Sequence, residues 1–132
     1  MTLAEIAEKI DEIFHRDDRL KTVLFKPFHV INNVQYPLPV VCTDVLSSTL
    51  DNTVMTYQLR TMVGIKLEHT DDDQIPYWDL AEQILVQGLT QLMFEMGMQF
   101  NITVNYFYED YDDMLAGVYS DYTITVPKQV CY

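Results

Sequence analysis

The fifteen residues from Thr53 to Leu67, TVMTYQLRTMVGIKL, decide the fold of this chain. Apolar side chains occupy alternate positions of this stretch, namely Met55, Tyr57, Leu59, Val63, Ile65 and Leu67. Most of the side chains between them are polar, among them Thr56, Gln58, Arg60 and Lys66. This period of two predicts a β-strand with one face in the core and the other in water.

The predicted strand is long for a chain of 132 residues. A strand of this length reaches about 50 Å, whereas a compact domain of this size is roughly 36 Å across. We therefore predict a long β-hairpin, in which Val40–Leu46 pairs with Thr53–Leu67 across a turn at Ser47–Asn52. The end of the hairpin, around Leu50, is expected to project from the body and to contact another chain.

Two helices are predicted on either side of this hairpin in the sequence. Thr2 and Glu5 have the spacing of a capping box, and the apolar periodicity after them predicts a helix over Leu3–Phe14. A second helix is predicted over Pro76–Met96, since proline suits a first helical position and Gly97 suits the left-handed residue after a helix. Its apolar surface is wide, so we expect it to pack on the sheet and also against the first helix or a neighbouring subunit.

The remaining segments complete an α+β architecture. Thr22–Phe25 is a short strand, and Pro27–Pro39 is an irregular connection in which proline and asparagine interrupt regular structure. Alternating apolar residues predict two strands over Phe100–Tyr108 and Val118–Val126, joined as an antiparallel hairpin. We predict a single α+β domain over residues 1–132, with an antiparallel sheet, a long projecting hairpin and two helices packed on one face.

The chain is strongly acidic, with 20 Asp and Glu against 8 Lys and Arg and a formal net charge of −12. The acids are concentrated in the second half, where residues 67–132 hold 12 acids and a single base, Lys128. This balance argues against tight binding of nucleic acid, which depends on Lys and Arg contacts with phosphate. The acidic surface either keeps the protein in solution or repels phosphate, as the wall of a DNA conduit must.

Two acidic turns supply the candidates for such a surface or lumen: Asp71, Asp72, Asp73, Glu109, Asp110, Asp112 and Asp113. These turns are also the only places where a hard cation would meet several carboxylates. Neither turn has the Asp-x-Asp-x-Asp-Gly spacing with a distal Glu that is typical of a calcium loop. We therefore predict no metal site.

We also predict no catalytic residue and no cofactor. The four glycines are too dispersed for a phosphate-binding loop. Cys42 and Cys131 lack the paired spacing of a zinc or redox motif, and His15, His29 and His69 share no spacing that would join them on a helix. A sequence alone leaves open a site whose residues converge only in space.

The sequence also indicates where the protein functions. The N-terminus lacks the basic start and continuous apolar centre of a signal peptide. The two cysteines are far apart in the sequence, which fits a protein that stays in the reducing interior of the cell. The longest apolar-rich stretch, Leu80–Met96, contains several glutamates and glutamines, so we expect no membrane-spanning helix and no membrane partner.

Several residues are candidates for a subunit interface. Apolar residues near the hairpin end, uncharged polar residues on the second helix and tyrosines of the last hairpin are suited to contact another chain. The candidate interface residues are Leu46, Leu50, Val54, Gln83, Gln87, Tyr108 and Tyr119. For the tyrosines of the last hairpin, a role in the core and a role in a subunit interface are about equally favoured.

The last hairpin carries the sequence DDMLAGVYSDYTITVP over residues 112–127. Together with the capped first helix, the long hairpin and the central helix after an acidic turn, this segment resembles the tail-terminator and tail-completion proteins of tailed bacteriophages. The resemblance covers most of the chain. It rests on the order of the elements and on the Leu-Ala-Gly that precedes the alternating final strand.

The resemblance implies a non-enzymatic virion structural protein, assembled in the host cytoplasm and located in the tail or at the head–tail junction. Such subunits form a homo-oligomeric ring, commonly a hexamer and otherwise a dodecamer, that caps the tail tube and joins it to the head connector. The implied partners are copies of the chain itself and other tail and connector proteins. DNA passes through the ring lumen and is not tightly bound.

Other interpretations remain open. The chain is alternatively a small α+β module that binds a cation or a small ligand through Glu109, Asp110, Asp112 and Asp113. It is also compatible with a related tail-ring protein of a short-tailed phage. An enzyme with a noncontiguous site around Cys42 or His69 ranks last.

Overall fold

The computed structural model describes residues 2–26, 39–66, 75–110 and 114–127. Its elements follow in the order α1 (Leu3–His15), β1 (Thr22–Phe25), β2 (Val40–Asp51), β3 (Val54–Lys66), α2 (Ile75–Met96), β4 (Asn105–Asp110) and β5 (Met114–Pro127). The chain is therefore α+β, as predicted. The predicted irregular connection falls almost entirely, and the first acidic turn wholly, outside the described residues.

The five strands form one sheet in the order β1-β2-β3-β5-β4. β1 pairs with β2 in parallel, whereas the other three pairs are antiparallel. The prediction of an entirely antiparallel sheet was therefore wrong. Because residues 26–39 separate β1 from β2, the chain between these strands is long enough for the crossover that parallel pairing needs.

β3 is the central strand and is paired along both edges. It pairs with β2 from Gly64 to Val54, and with β5 from Lys66 to Val54. The predicted turn at Ser47–Asn52 was wrong, because β2 continues to Asp51 and the turn consists of residues 52 and 53. Asn52 takes a left-handed conformation with φ 56°, which asparagine tolerates better than most residues.

Hydrogen bonds confirm the predicted start of α1 and the predicted end of α2. In α1, the Glu5 N–H donates to Thr2 Oγ1 at 3.2 Å and the Thr2 N–H donates to Glu5 Oε1 at 3.1 Å, which completes the capping box. At the end of α2, Gly97 has φ 64° and the Met98 N–H donates to the Met93 carbonyl at 3.1 Å. This arrangement is a Schellman motif, in which glycine supplies the left-handed residue.

One large apolar core joins both helices to the sheet. It contains Ile6, Ile10, Ile13 and Phe14 of α1, Ile84, Leu85, Leu89 and Leu92 of α2, and Val41, Leu59, Val63, Val118 and Ile124 of the strands. We call the side of the sheet that bears these strand residues the core face, and the opposite side the outer face. A smaller cluster of Val40, Cys42 and Met62 lies on the outer face.

The segment 98–104 between α2 and β4 lies against the core without being a strand. The predicted strand over Phe100–Tyr108 was wrong in its first half, since β4 begins only at Asn105. Phe100, Ile102 and Val104 pack against the core cluster, and the Phe100 ring stacks on Tyr122 with centroids 4.8 Å apart. An extended segment with one buried side therefore produces the same alternation as a strand.

A row of hydroxyl groups crosses the buried side of the three central strands. Thr43 and Thr61 are cross-strand neighbours whose hydroxyl oxygens lie 2.9 Å apart, and Thr61 Oγ1 lies 2.7 Å from the Tyr122 hydroxyl. Ser120 Oγ, next in the same row, is buried without a hydrogen-bond partner among the described residues. Because buried polar groups need specific partners, this row helps to fix the register of β2, β3 and β5.

Candidate interaction surface

The sheet narrows from five strands to three toward the β2–β3 turn. β1 pairs only with Val40–Thr43 of β2, and β4 pairs only with Met114–Tyr119 of β5. Residues 44–51, 54–60 and 121–127 continue beyond them as a three-stranded end. Within the described ranges, no strand pairs with the outer edge of β2 or of β5 at this end. Such edges present N–H and C=O groups that can pair with another chain.

The three-stranded end also exposes apolar side chains. Leu46, Leu50 and Val54 are exposed by 43%, 56% and 37%, respectively. Leu46 is the extra residue of a β-bulge between Val45 and Ser47, and bulges are common at sheet edges because they re-aim side chains. The structure therefore places three of the candidate interface residues at one end of the sheet.

The outer face of the three-stranded end is polar and linked across its strands. The Ser47 hydroxyl donates to Gln58 Oε1 at 3.0 Å. The Arg60 guanidinium donates two hydrogen bonds to the Asp121 carboxylate, at 2.6 and 2.9 Å, and lies 4.7 Å from the centroid of the Tyr119 ring. Arg60 and Asp121 therefore form a neutral pair, and Asp44, the neighbour of Arg60 on β2, adds a further carboxylate to this face.

The two candidate glutamines lie elsewhere, on α2. Gln83 is exposed, and its amide donates to Asp79 Oδ2 at 3.4 Å. Gln87 accepts a hydrogen bond of 2.7 Å from Arg19, so its side chain joins α2 to the segment after α1. Neither glutamine adjoins the three-stranded end, and their interface role stays a prediction.

The two candidate tyrosines lie on opposite faces of the sheet. Tyr108 is 37% exposed on β4 and is paired with Ala116 on the core face. Tyr119 is half-buried on the outer face, where its ring lies 6.4 Å from the ring of Phe107. The structure therefore does not bring them into one patch with Leu46 and Leu50.

The acidic candidates are largely beyond the described structure. Asp71, Asp72, Asp73, Asp112 and Asp113 lie outside the described residues, and only the backbone of Glu109 and Asp110, at the end of β4, is described. The side chains that the structure does describe include no group of three or more His, Cys, Asp or Glu placed to hold a metal ion. The acidic lumen stays a prediction.

Two clefts border the segment 98–104 and were missed by the sequence reasoning. One, of about 400 Å³, is lined by Met98–Asn101 together with Thr123 and Thr125 of β5. The other, of about 750 Å³, lies at the end of α2, where Phe94 is 80% exposed. The available signal is the density of Met and Phe residues around Gly97.

A third cleft, of about 510 Å³, lies where α1 meets α2 and is lined by Arg16, Asp17 and Arg19. Both arginines are held by carboxylates of the chain: Arg16 donates to Glu95 at 2.7 Å, and Arg19 donates to Asp17 at 2.9 and 2.7 Å. These bonds lower the pKa of Glu95 to about 2 and lower the pKa of Asp17. The guanidinium groups are thus already paired, which disfavours an anionic ligand in this cleft.

Cys42 is the buried thiol on the outer face. Its S–H donates to the Lys26 carbonyl at 3.2 Å, and burial raises the pKa of the thiol to about 11. Because the thiolate is the nucleophilic form, burial and the raised pKa disfavour a nucleophilic role for Cys42. His69, the other residue of the enzyme interpretation, lies outside the described ranges.

Comparison of the chain with protein-family models and with curated protein sequences found no match. The resemblance to phage tail terminators therefore depends on the sequence pattern alone. No helix in the described part of the chain combines the length and apolar character that a membrane span requires.

Proposed function

We propose that this protein is a virion structural protein, a ring-forming tail-terminator or connector subunit that joins a phage tail to the head. The observation that carries the proposal is the three-stranded end. It combines strand edges that no described strand covers with the exposed side chains of Leu46, Leu50 and Val54. Such a surface is suited to contact between chains.

The position of these edges supports a ring. β2 and β5 form the two opposite borders of the three-stranded end, with β3 between them. Two different borders favour a heterologous, head-to-tail contact over a twofold one, and a heterologous contact that repeats around an axis closes into a ring. The expected assembly is a hexamer or a dodecamer.

The charge of the chain supports passage of DNA through such a ring. With a net charge of −12, the subunits offer few cations to phosphate, so DNA slides past them without tight binding. In this proposal the acidic turns line the lumen, and the protein resides in the virion at the tail or the head–tail junction.

Native mass spectrometry and electron microscopy of the purified full chain test the proposal. We expect one discrete subunit number and ring-shaped particles for the wild type. Leu50→Asp should yield monomers, because a charge at the 56% exposed Leu50 opposes burial in a contact. Ala4→Asp, which adds the same charge at an exposed position of α1, should still form rings. A wild-type monomer at high concentration, with no rings in micrographs, would contradict the proposal.

A further inference from the structure

We infer that neighbouring subunits join by parallel strand pairing, in which Ser47–Leu50 of one copy pairs with Thr123–Val126 of the next and Leu50 enters the cleft beside Met98. This inference rests on the proposed function and adds to it the surface that receives the hairpin. The partner is thus a second copy of this chain, contacted through the opposite border of its own three-stranded end.

The directions of the strands make the pairing parallel. β2 is antiparallel to β3, and β3 is antiparallel to β5, so β2 and β5 run the same way. Rotation about an axis roughly along the strands brings β5 of one copy beside β2 of the next without reversing either strand. The edge of β2 already accepts a parallel partner, because β1 pairs with it in parallel over Val40–Thr43. The neighbour's strand would continue along the same edge.

The register of the sheet identifies the residues that meet. Ser47, Gln58 and Thr123 occupy one cross-strand row, and Thr49, Thr56 and Thr125 occupy the second row beyond it toward the turn. A rotation along the strands keeps these heights, so Ser47 approaches Thr123 of the neighbour and Thr49 approaches Thr125. The pairing begins after the bulge at Leu46 and ends before Pro127, which has no N–H to donate.

The cleft at the edge of β5 is suited to bind the Leu50 side chain of β2 from the neighbouring subunit. Leu50 is paired with Met55 on the core face and is 56% exposed. On the neighbour, the 400 Å³ cleft along β5 has Met98 and Phe100 in its wall. Leu50 would therefore bury apolar surface against apolar side chains, whereas in the isolated subunit it faces water.

Charge also favours this contact between copies of an acidic chain. All six residues that line the cleft are uncharged: Met98, Gln99, Phe100, Asn101, Thr123 and Thr125. The nearest carboxylate along β5, that of Asp121, is paired with Arg60. Since each subunit carries a net charge of −12, copies approach most easily through a surface of this kind.

Disulfide trapping tests the pairing in the full chain. In a Cys131→Ser background, Ser47→Cys is mixed with Thr123→Cys or with Thr125→Cys, and disulfides form under mild oxidation. Positions 47 and 123 of one subunit lie two strand spacings apart, roughly 10 Å, which exceeds the reach of about 7 Å for a disulfide. Any bridge therefore joins two subunits. Gln58→Cys, on the same exposed face but on the central strand, is the matched control.

We expect a covalent dimer from at least one of the mixtures that contain Ser47→Cys. We expect no dimer when Gln58→Cys takes the place of Ser47→Cys in these mixtures. The double variant Ser47→Cys/Thr125→Cys should give a ladder of bands that ends at the subunit number of the ring. A mixture of Thr49→Cys and Thr125→Cys tests the same contact with a second pair. If circular dichroism shows that one variant has not folded, the other pair still gives a result.

Four results would overturn the inference. Rings in native mass spectra without a bridge in any mixture would refute the pairing and leave the proposed function standing. A bridge between two Ser47→Cys chains would indicate a twofold β2–β2 contact, and equal bridging of Gln58→Cys would indicate random collision. Absence of any oligomer would remove the proposed function as well.

Discussion

Gly88 allows α1 and α2 to approach each other closely. A Cβ atom at this position would lie 2.2 Å from Phe14 Cε1 and 2.5 Å from Phe14 Cζ, and the Phe14 side chain is only 1% exposed. We expect Gly88→Ala to lower the free energy of unfolding by about 1–3 kcal/mol, the usual cost of overpacking a core. Urea unfolding followed by circular dichroism measures this change.

The sign of this effect is diagnostic, because alanine favours a helix over glycine by about 1 kcal/mol when nothing obstructs it. Phe14→Leu should reduce the penalty of Gly88→Ala, since the two residues share one space. Thr90→Ala, at an exposed position of the same helix, should change stability by less than about 0.5 kcal/mol. A Gly88→Ala variant that is more stable than the wild type would refute the close contact.

At the scale of the elements, a charged network joins α1 to α2. Glu95 accepts from Arg16 at 2.7 Å and pairs with Lys9 at 3.3 Å, and the pKa of Glu95 is lowered from 4.5 to about 2. A lowered pKa in the folded state adds stability above the ordinary pKa and loses it as the pH falls toward 2. We expect the melting temperature of the wild type to fall more steeply between pH 4.5 and 2 than that of Glu95→Gln.

Glu8→Gln is the control for this pH series. Glu8 is exposed on α1 and has no ion pair among the described residues, so its variant should follow the wild-type curve. Thermal unfolding followed by circular dichroism at each pH gives the three curves. Parallel loss of stability in the wild type and Glu95→Gln would mean that the network does not stabilise the helix pair.

The elements that the sequence predicts well are those whose signals are local. The capping box at Thr2 and the glycine at position 97 each determine one helix end through residues that are close in sequence. The alternation in β3 correctly predicts a strand, and β3 is the central strand of the sheet. The partner of β1 is a nonlocal choice, so the parallel pair was missed. In segment 98–104 alternate side chains pack against the core although the segment is not a strand. The alternation there indicates burial and not strand pairing.

The candidate surface was predictable only in part, for the same reason. Leu46, Leu50 and Val54 are near each other in sequence and lie on the two strands of the hairpin, so their position followed from the hairpin itself. The cleft beside β5 is formed by residues 98–101 and strand residues 123 and 125. No periodicity in the sequence relates these two segments, because only the fold brings them together.

At the scale of the whole molecule, net charge opposes the assembly that the strand edges favour. Each subunit carries −12, and the Debye length shortens from about 30 Å at 0.01 M salt to about 10 Å at 0.1 M. If the contact is the uncharged cleft and strand edge, salt should screen the repulsion between copies. We expect the dissociation constant to fall roughly tenfold over this range, as for about 1.4 kcal/mol of relieved repulsion.

Sedimentation velocity at low and high salt measures this effect, with Leu50→Asp as a variant that should stay monomeric at both. The direction of the response separates two kinds of contact. An interface formed instead by ion pairs, between the 7 bases of residues 1–66 and the 12 acids of residues 67–132, would weaken as salt is added. Rings that dissociate in salt would therefore locate the interface away from the edges of β2 and β5.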